Sequence, residues 1–313
     1  MDEKLLKWLL AGDVAIQYQV RRHLLGEQDA TLQDRIAHEG WGAAFLAQRG
    51  DNGHWGRGFY QPKWISSHYT LLDLRYLELP SGHPAPRETI ALILHNNKAE
   101  DGGVNPGKTI KESDICVNGM LLTYACYFGA PEQELRSVVD FLIGQQMADG
   151  GFNCQSNRQG AVHSSLHSTL SILEGIHEYA GRGYGYRLAE LQAIAAQARE
   201  FILLHRLFRS DHTGEIIDRR FLMLSYPSRW FYDILRALVY FAAAGVPYDP
   251  RMSDALDVLR QKRRKDGAWP VQAKHAGQVH FDMEKTGGPS RWNTLRALRV
   301  LSWAGLHHFE GEG

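Results

Sequence analysis

Three side chains that bind metal ions through three different donor atoms fall in the middle of this 313-residue chain. Asp114 and Cys116 stand two apart, and His167 follows further on. A carboxylate oxygen, a thiolate and an imidazole, with a fourth position open, form the ligand pattern of a catalytic zinc ion. Lys108 and Lys111 lie just upstream and His68 earlier still. Tyr232, Trp292 and Trp230 offer aromatic faces, which bury apolar surface and attract cationic carbon. Each residue also has a plainer use. An Asp at a helix start caps free N–H groups, a buried Cys packs as a small hydrophobe, a loop lysine is solvated, and aromatic rings fill cores. The chemistry depends on whether the fold gathers them.

The elements that must do so are helical. Five times a helix runs into a glycine turn and a second helix follows, at Gly53, Gly102, Gly150, Gly214 and Gly267, with spacings of 49, 48, 64 and 53 residues. The segments before the turns are amphipathic: Leu135, Val138, Val139 and Leu142 share one helix face, the 3.6-residue signature. The segments after the turns, predicted as helices over 67–79, 114–128, 166–179, 229–244 and 291–304, are apolar on all sides, as buried helices are. A two-helix repeat cannot bury its apolar face alone and must stack on its neighbours. The predicted architecture is therefore all-α, an outer and an inner layer of helices. Residues 1–39 supply capping helices, 40–305 five helical hairpins and 306–313 a tail, within one domain spanning 1–313.

Alignment of the inner helices on their apolar ladders puts His68, Asp114, His167, Tyr232 and Trp292 in one column at the helix starts. Thr70, Cys116, Thr169, Ile234 and Thr294 lie two residues on. The column is polar in the first three repeats, with metal-ligand residue types, and aromatic in the last two.

The turn pattern Gln, three to five residues, Gly, one residue, aromatic (Gln48 to Trp55, Gln146 to Phe152, Gln261 to Trp269) resembles that of the α/α toroids of terpenoid cyclases and protein prenyltransferase β-subunits. The resemblance covers residues 40–305. The run Gly107-Lys108 to Lys111 to Asp114-Ile-Cys116 looks like the prenyltransferase segment Gly-basic-x-x-Lys-x-x-Asp-x-Cys. The resemblance implies a closed α/α toroid of five to six hairpins around a central cavity. It also implies that Lys108, Lys111 and His68 bind an isoprenoid diphosphate and that Asp114, Cys116 and His167 bind Zn²⁺. In that family the zinc activates a thiol, as on a peptide acceptor, and a separate helical-repeat subunit is the partner. The chain departs from the family in carrying Val117 where the family has a Tyr, and in having fewer repeats. Other readings are a terpenoid-cyclase-like enzyme, for which no Asp-x-Asp-Asp motif is present, a zinc-dependent hydrolase, and a non-catalytic repeat scaffold that binds a lipid or partner.

Composition narrows the field further. Formal net charge is zero and the pI is about 7.3, so no basic footprint for nucleic acid exists. The start of the chain carries acidic residues among a short apolar run and does not read as a secretory signal. No apolar stretch approaches the roughly 20 residues of a transmembrane helix. Three sparse cysteines, Cys116, Cys126 and Cys154, fit a reduced, cytoplasmic setting.

Overall fold

A computed structural model describes residues 2–107 and 110–306. Its regular structure is fourteen α-helices and two short strands among the described residues: α1 (Glu3–Leu10), α2 (Val14–Val20), α3 (Ala30–Arg35), α4 (Gly40–Leu46), α5 (Ser67–Tyr76), α6 (Pro84–Asn96), α7 (Ile115–Tyr127), α8 (Glu132–Ile143), α9 (Ser156–Gln159), α10 (Leu166–Gly181), α11 (Leu188–Leu204), α12 (Ile234–Ala243), α13 (Ser253–Gln261) and α14 (Arg291–Trp303), with β1 (Trp269–Pro270) and β2 (Pro289–Ser290). The chain is mostly helical, as the periodicity predicts. No helix among the described residues is long and apolar enough to cross a membrane.

The glycine turns share one construction. Gly53, Gly102, Gly150, Gly214 and Gly267 all adopt positive φ, between 73° and 88°, a conformation that glycine reaches without steric cost. In four of them the preceding Asn or Asp side chain (Asn52, Asp101, Asp149, Asp266) accepts from the amide two residues on. The next inner helix then clasps the turn through its own side chains. Ser67 Oγ accepts from the Trp55 amide, Asn118 Oδ1 from Val104, Thr169 Oγ1 from Phe152 and Thr294 Oγ1 from Trp269, at 2.7–3.0 Å.

These clasps give a register that the apolar ladders do not. Asn118, Thr169 and Thr294 are each the fourth residue of their helix. Counting back, Cys116 is equivalent to His167 and Trp292, and Asp114 to the N-cap residues Ser165 and Ser290. The ladder alignment is two residues out at α7. The reason is physical: all thirteen residues of α7 are buried, so its apolar surface has no single face to register. The fourth inner helix also begins later than predicted. Asp233 accepts from the Arg236 amide and starts α12 at Ile234, which leaves Tyr232 and Trp230 in the preceding loop.

Six helices form the inner layer. α5 packs on α7, α7 on α10, α10 on α12, α12 on α14 and α14 on α2, while Gln19 of α2 donates to the Tyr76 carbonyl of α5 at 2.7 Å. The first two helices thus pair as a further hairpin between the last and first repeats. All six inner helices line a cavity of about 570 Å³. The loop from β1 to β2 is closed at its base by antiparallel pairing of Trp269 with Ser290. It folds over α5: Trp64 Nε1 donates to the Ala276 carbonyl, and His280 Nε2 lies 3.0 Å from Thr70 Oγ1.

Candidate metal centre

α7 and α10 approach more closely than side chains would allow. A Cβ on Gly119 would lie 2.8 Å from the Ser171 carbonyl oxygen, and one on Gly175 would lie 2.5 Å from that of Gly119. This backbone contact brings the N-terminal turns of the two helices together. Cys116, the second residue of α7, faces Ser168 of α10, with Sγ 3.1 Å from Oγ. Ser168 Oγ also accepts from the Cys154 amide at 3.0 Å, drawing in the loop between the third turn and α9. The result is a group of three donor atoms, from Asp114, Cys116 and Cys154, all within 4.8 Å of one another.

Asp114 serves two ends. One carboxylate oxygen caps α7 by accepting from the Val117 amide at 3.0 Å, and the other pairs with Arg158 at 3.1 Å. Arg158 is anchored in turn on the Glu112 carbonyl. Hydrogen bonding to Cys116 holds the Cys154 thiol below its ordinary range against the cost of burial. Cys116 is pushed well above it by the same bond and by burial. One sulfur is thus poised to become a thiolate beside a second thiol and a carboxylate.

A cation stands nearby. Lys63 places its ammonium over the rings of Trp64, at 4.8 Å, and Trp230, at 5.3 Å, and that ammonium makes no ion pair or hydrogen bond among the described residues. Burial lowers its pKa, while Asp114, Cys116 and Cys154 raise it. The wall beyond is a stack: Trp230 lies 3.9 Å from Phe231, and Phe231 lies 3.8 Å from His275. Two buried polar atoms of this wall, Trp230 Nε1 and His275 Nε2, have no hydrogen-bond partner among the described residues.

The residues singled out in the sequence are not all gathered here. Asp114 and Cys116 are. His167 is not in the group; its Nδ1 accepts from the Tyr232 amide at 2.7 Å, and its ring lies among Phe221, Trp230, Phe231 and Tyr232. The register explains this, because His167 occupies on α10 the place that Cys116 occupies on α7. Tyr232 is buried, with its hydroxyl on the Leu207 carbonyl. Trp292 lines the central cavity and stacks on Tyr226 at 4.8 Å. His68 is fully buried in a cage of Phe59, Tyr60, Tyr69 and Tyr124. Burial pushes its pKa down to about 3, so it carries no charge for an anion. Lys111 is exposed, and Lys108 lies outside the described residues.

Cys154, Lys63, Arg158 and Ser168 were not legible as site residues from column matching. Cys154 sits in a loop, Lys63 in a single helical turn before α5 and Arg158 in the short α9, none of them at an inner-helix start. The available signal for Cys154 was its place two residues past the turn aromatic Phe152, where the other four repeats carry Arg57, Pro106, Asp218 and Val271.

No family model and no curated protein matches the chain. Among solved structures it is similar to that of a protein from Actinoplanes, at 16% identity over 94% of this chain and 90% of that one, with a TM-score of 0.48.

The donor set of Asp114, Cys116 and Cys154 suits zinc. Tetrahedral coordination with Zn–S near 2.3 Å sets ligand atoms about 3.8 Å apart, so the group needs to contract by about 1 Å at most. Three protein ligands leave one position for an exogenous ligand.

Proposed function

We propose that the chain is a zinc-dependent transferase of the prenyltransferase type, built as an α/α toroid, which alkylates a thiol with an isoprenoid diphosphate. The observation that carries this reading is the convergence of one carboxylate and two thiols from adjacent repeats beside an unpaired lysine and an aromatic wall. The unbroken sequence of inner-helix contacts, from α5 through α14 and α2 back to α5, supports ring closure.

Asp114, Cys116 and Cys154 would hold the ion, and bound there it would lower the pKa of a thiol entering the open position. Arg158 fixes the Asp114 carboxylate and offsets its charge. The Lys63 ammonium, seated over Trp64 and Trp230, is suited to a leaving diphosphate as negative charge develops on it, and by the resemblance in sequence Lys108 and Lys111 would add to that charge. The Trp64, Trp230 and Phe231 surfaces exclude water and present π-faces to the allylic carbon.

The test is elemental analysis of purified protein, followed by incubation with farnesyl diphosphate and a cysteine-containing peptide, with thioether formation read by mass spectrometry. About one zinc per chain, lost in Cys116→Ser and Cys154→Ser, with thioether product, is the expected result. Zinc without thioether would shift the reading to a hydrolytic enzyme, and absence of any bound metal would favour a non-catalytic scaffold.

A further inference from the structure

The central cavity is lined by Arg22, Arg75, Arg182, Arg236, Arg296 and Arg299, against only three carboxylates, Glu78, Glu174 and Glu178. The carboxylates are already engaged. Glu78 takes Arg22 and His23 at 2.7 and 2.8 Å, Glu178 takes Arg75 and Arg182, and Glu174 takes Arg236 at 2.6 Å. Among the described residues the Arg296 guanidinium bonds only to Asn293 Oδ1, at 3.3 Å. Arg299 makes no hydrogen bond or ion pair among the described residues. Behind the wall Asp233 faces Arg296 and Arg236, which still leaves six guanidiniums to four carboxylates.

Helix dipoles do not account for this excess. The partial negative charge of a helix C-terminus acts within the last turn, which covers Arg75 at the end of α5 and Arg182, the C-cap of α10, both already paired with Glu178. Arg236 is the third residue of α12, and Arg296 and Arg299 are the sixth and ninth of α14's thirteen. Burying an unpaired charge is costly; Arg296 is buried and Arg299 half-buried. Burial pulls the Arg299 guanidinium down to about 10, with Arg75, Arg296 and Arg22 adding to the fall against Glu78.

We propose that this cavity binds a small organic polyanion, through a phosphate or carboxylate head bearing at least two negative charges. Arg296 and Arg299 supply the uncommitted guanidiniums, whose planar forks match either head bidentately. Tyr76, Tyr127, Tyr240 and Trp292 supply aromatic surface for the body of the ligand. A volume of about 570 Å³ lies in the range of small-molecule sites. The site is separate from the metal centre: Ser168 and Glu178 are ten residues apart on α10, about 15 Å along the helix axis.

Isothermal titration of the full chain with inorganic pyrophosphate and, separately, with citrate tests this, each against sodium chloride at matched ionic strength. Saturable binding of either, at one per chain, is expected, and the better of the two identifies the head group. The Arg296→Met/Arg299→Met double variant should bind at least tenfold more weakly, while its ligand-free melting temperature rises because like charges are removed. Arg299→Lys, which keeps the charge and the fold, should weaken binding without that rise. Lys63→Met and Cys116→Ser should leave binding intact, which separates this site from the metal centre. Binding no stronger than the salt control, or binding unchanged in both arginine variants, would overturn the proposal.

Discussion

The Tyr232 amide donates to His167 Nδ1 at 2.7 Å, and this one bond removes an imidazole from metal chemistry. With Nδ1 accepting, the ring proton of the neutral imidazole sits on Nε2. Burial, with Arg236 adding, pushes the His167 pKa down to about 4, so the neutral form persists near pH 7. Neither nitrogen then offers a free lone pair. In the group with Asp114 and Cys116, the third donor atom comes not from His167 but from Cys154, which arrives from a loop.

His167→Ala should therefore retain zinc at the level of the parent chain, while Cys154→Ser loses it. Inductively coupled plasma mass spectrometry on dialysed protein measures both. A zinc content that falls equally in the two variants would return His167 to the ligand set.

The contrast shows what the residues disclosed and what they withheld. Turn glycines at regular spacing, and inner segments apolar on all sides, specify a layered helical repeat because a positive φ and an all-round buried helix each leave a sequence trace. Asp114 and Cys116 were legible because they sit where a turn feeds a helix. Cys154 was not, because its approach to Cys116 depends on Ser168, and Ser168 on how closely α7 and α10 cross. That distance is a tertiary quantity with a faint local signature, the glycines at 119 and 175. The arginine-lined cavity was hidden for a related reason: its residues come from six helices, and each reads alone as an ordinary polar position.

The close crossing of α7 and α10 makes its own prediction. A methyl group at Gly119 would meet Ile172 Cδ1 at 2.6 Å and the Ser171 carbonyl at 2.8 Å, and backbone cannot yield as a side chain can. Gly119→Ala should cost ~1–3 kcal/mol, the usual penalty of overpacking, and should part Cys116 from Ser168 and so weaken zinc binding at least tenfold. Gly181→Ala, whose methyl meets nothing within 4 Å, serves as the control and should keep parental stability and metal affinity. Urea denaturation and competition with a chromogenic chelator read the two effects. Loss of stability with unchanged zinc affinity would mean that the crossing does not position the site.

Stability should also fall in mild acid, through histidines buried in the neutral state. Burial is the first cause in each case, pushing His68 down to about 3 and His167, His275 and His280 to about 4. In the unfolded chain a histidine takes up its proton near 6.5. Between those values the unfolded state binds more protons than the folded one, so stability rises with pH across the window. The contribution is complete above about pH 6.5 and is lost progressively as pH falls towards 4. For the fully buried His68 alone, two pH units below 6.5 correspond to ~3 kcal/mol at 1.36 kcal/mol per unit. Denaturant unfolding at pH 7 and pH 4.5 should show a drop of at least that size in the parent chain. His68→Gln, which removes the proton site while keeping a polar group beside Tyr124, should show a drop smaller by ~2–3 kcal/mol. A parent chain equally stable at both pH values would mean that these imidazoles are protonated in the folded protein.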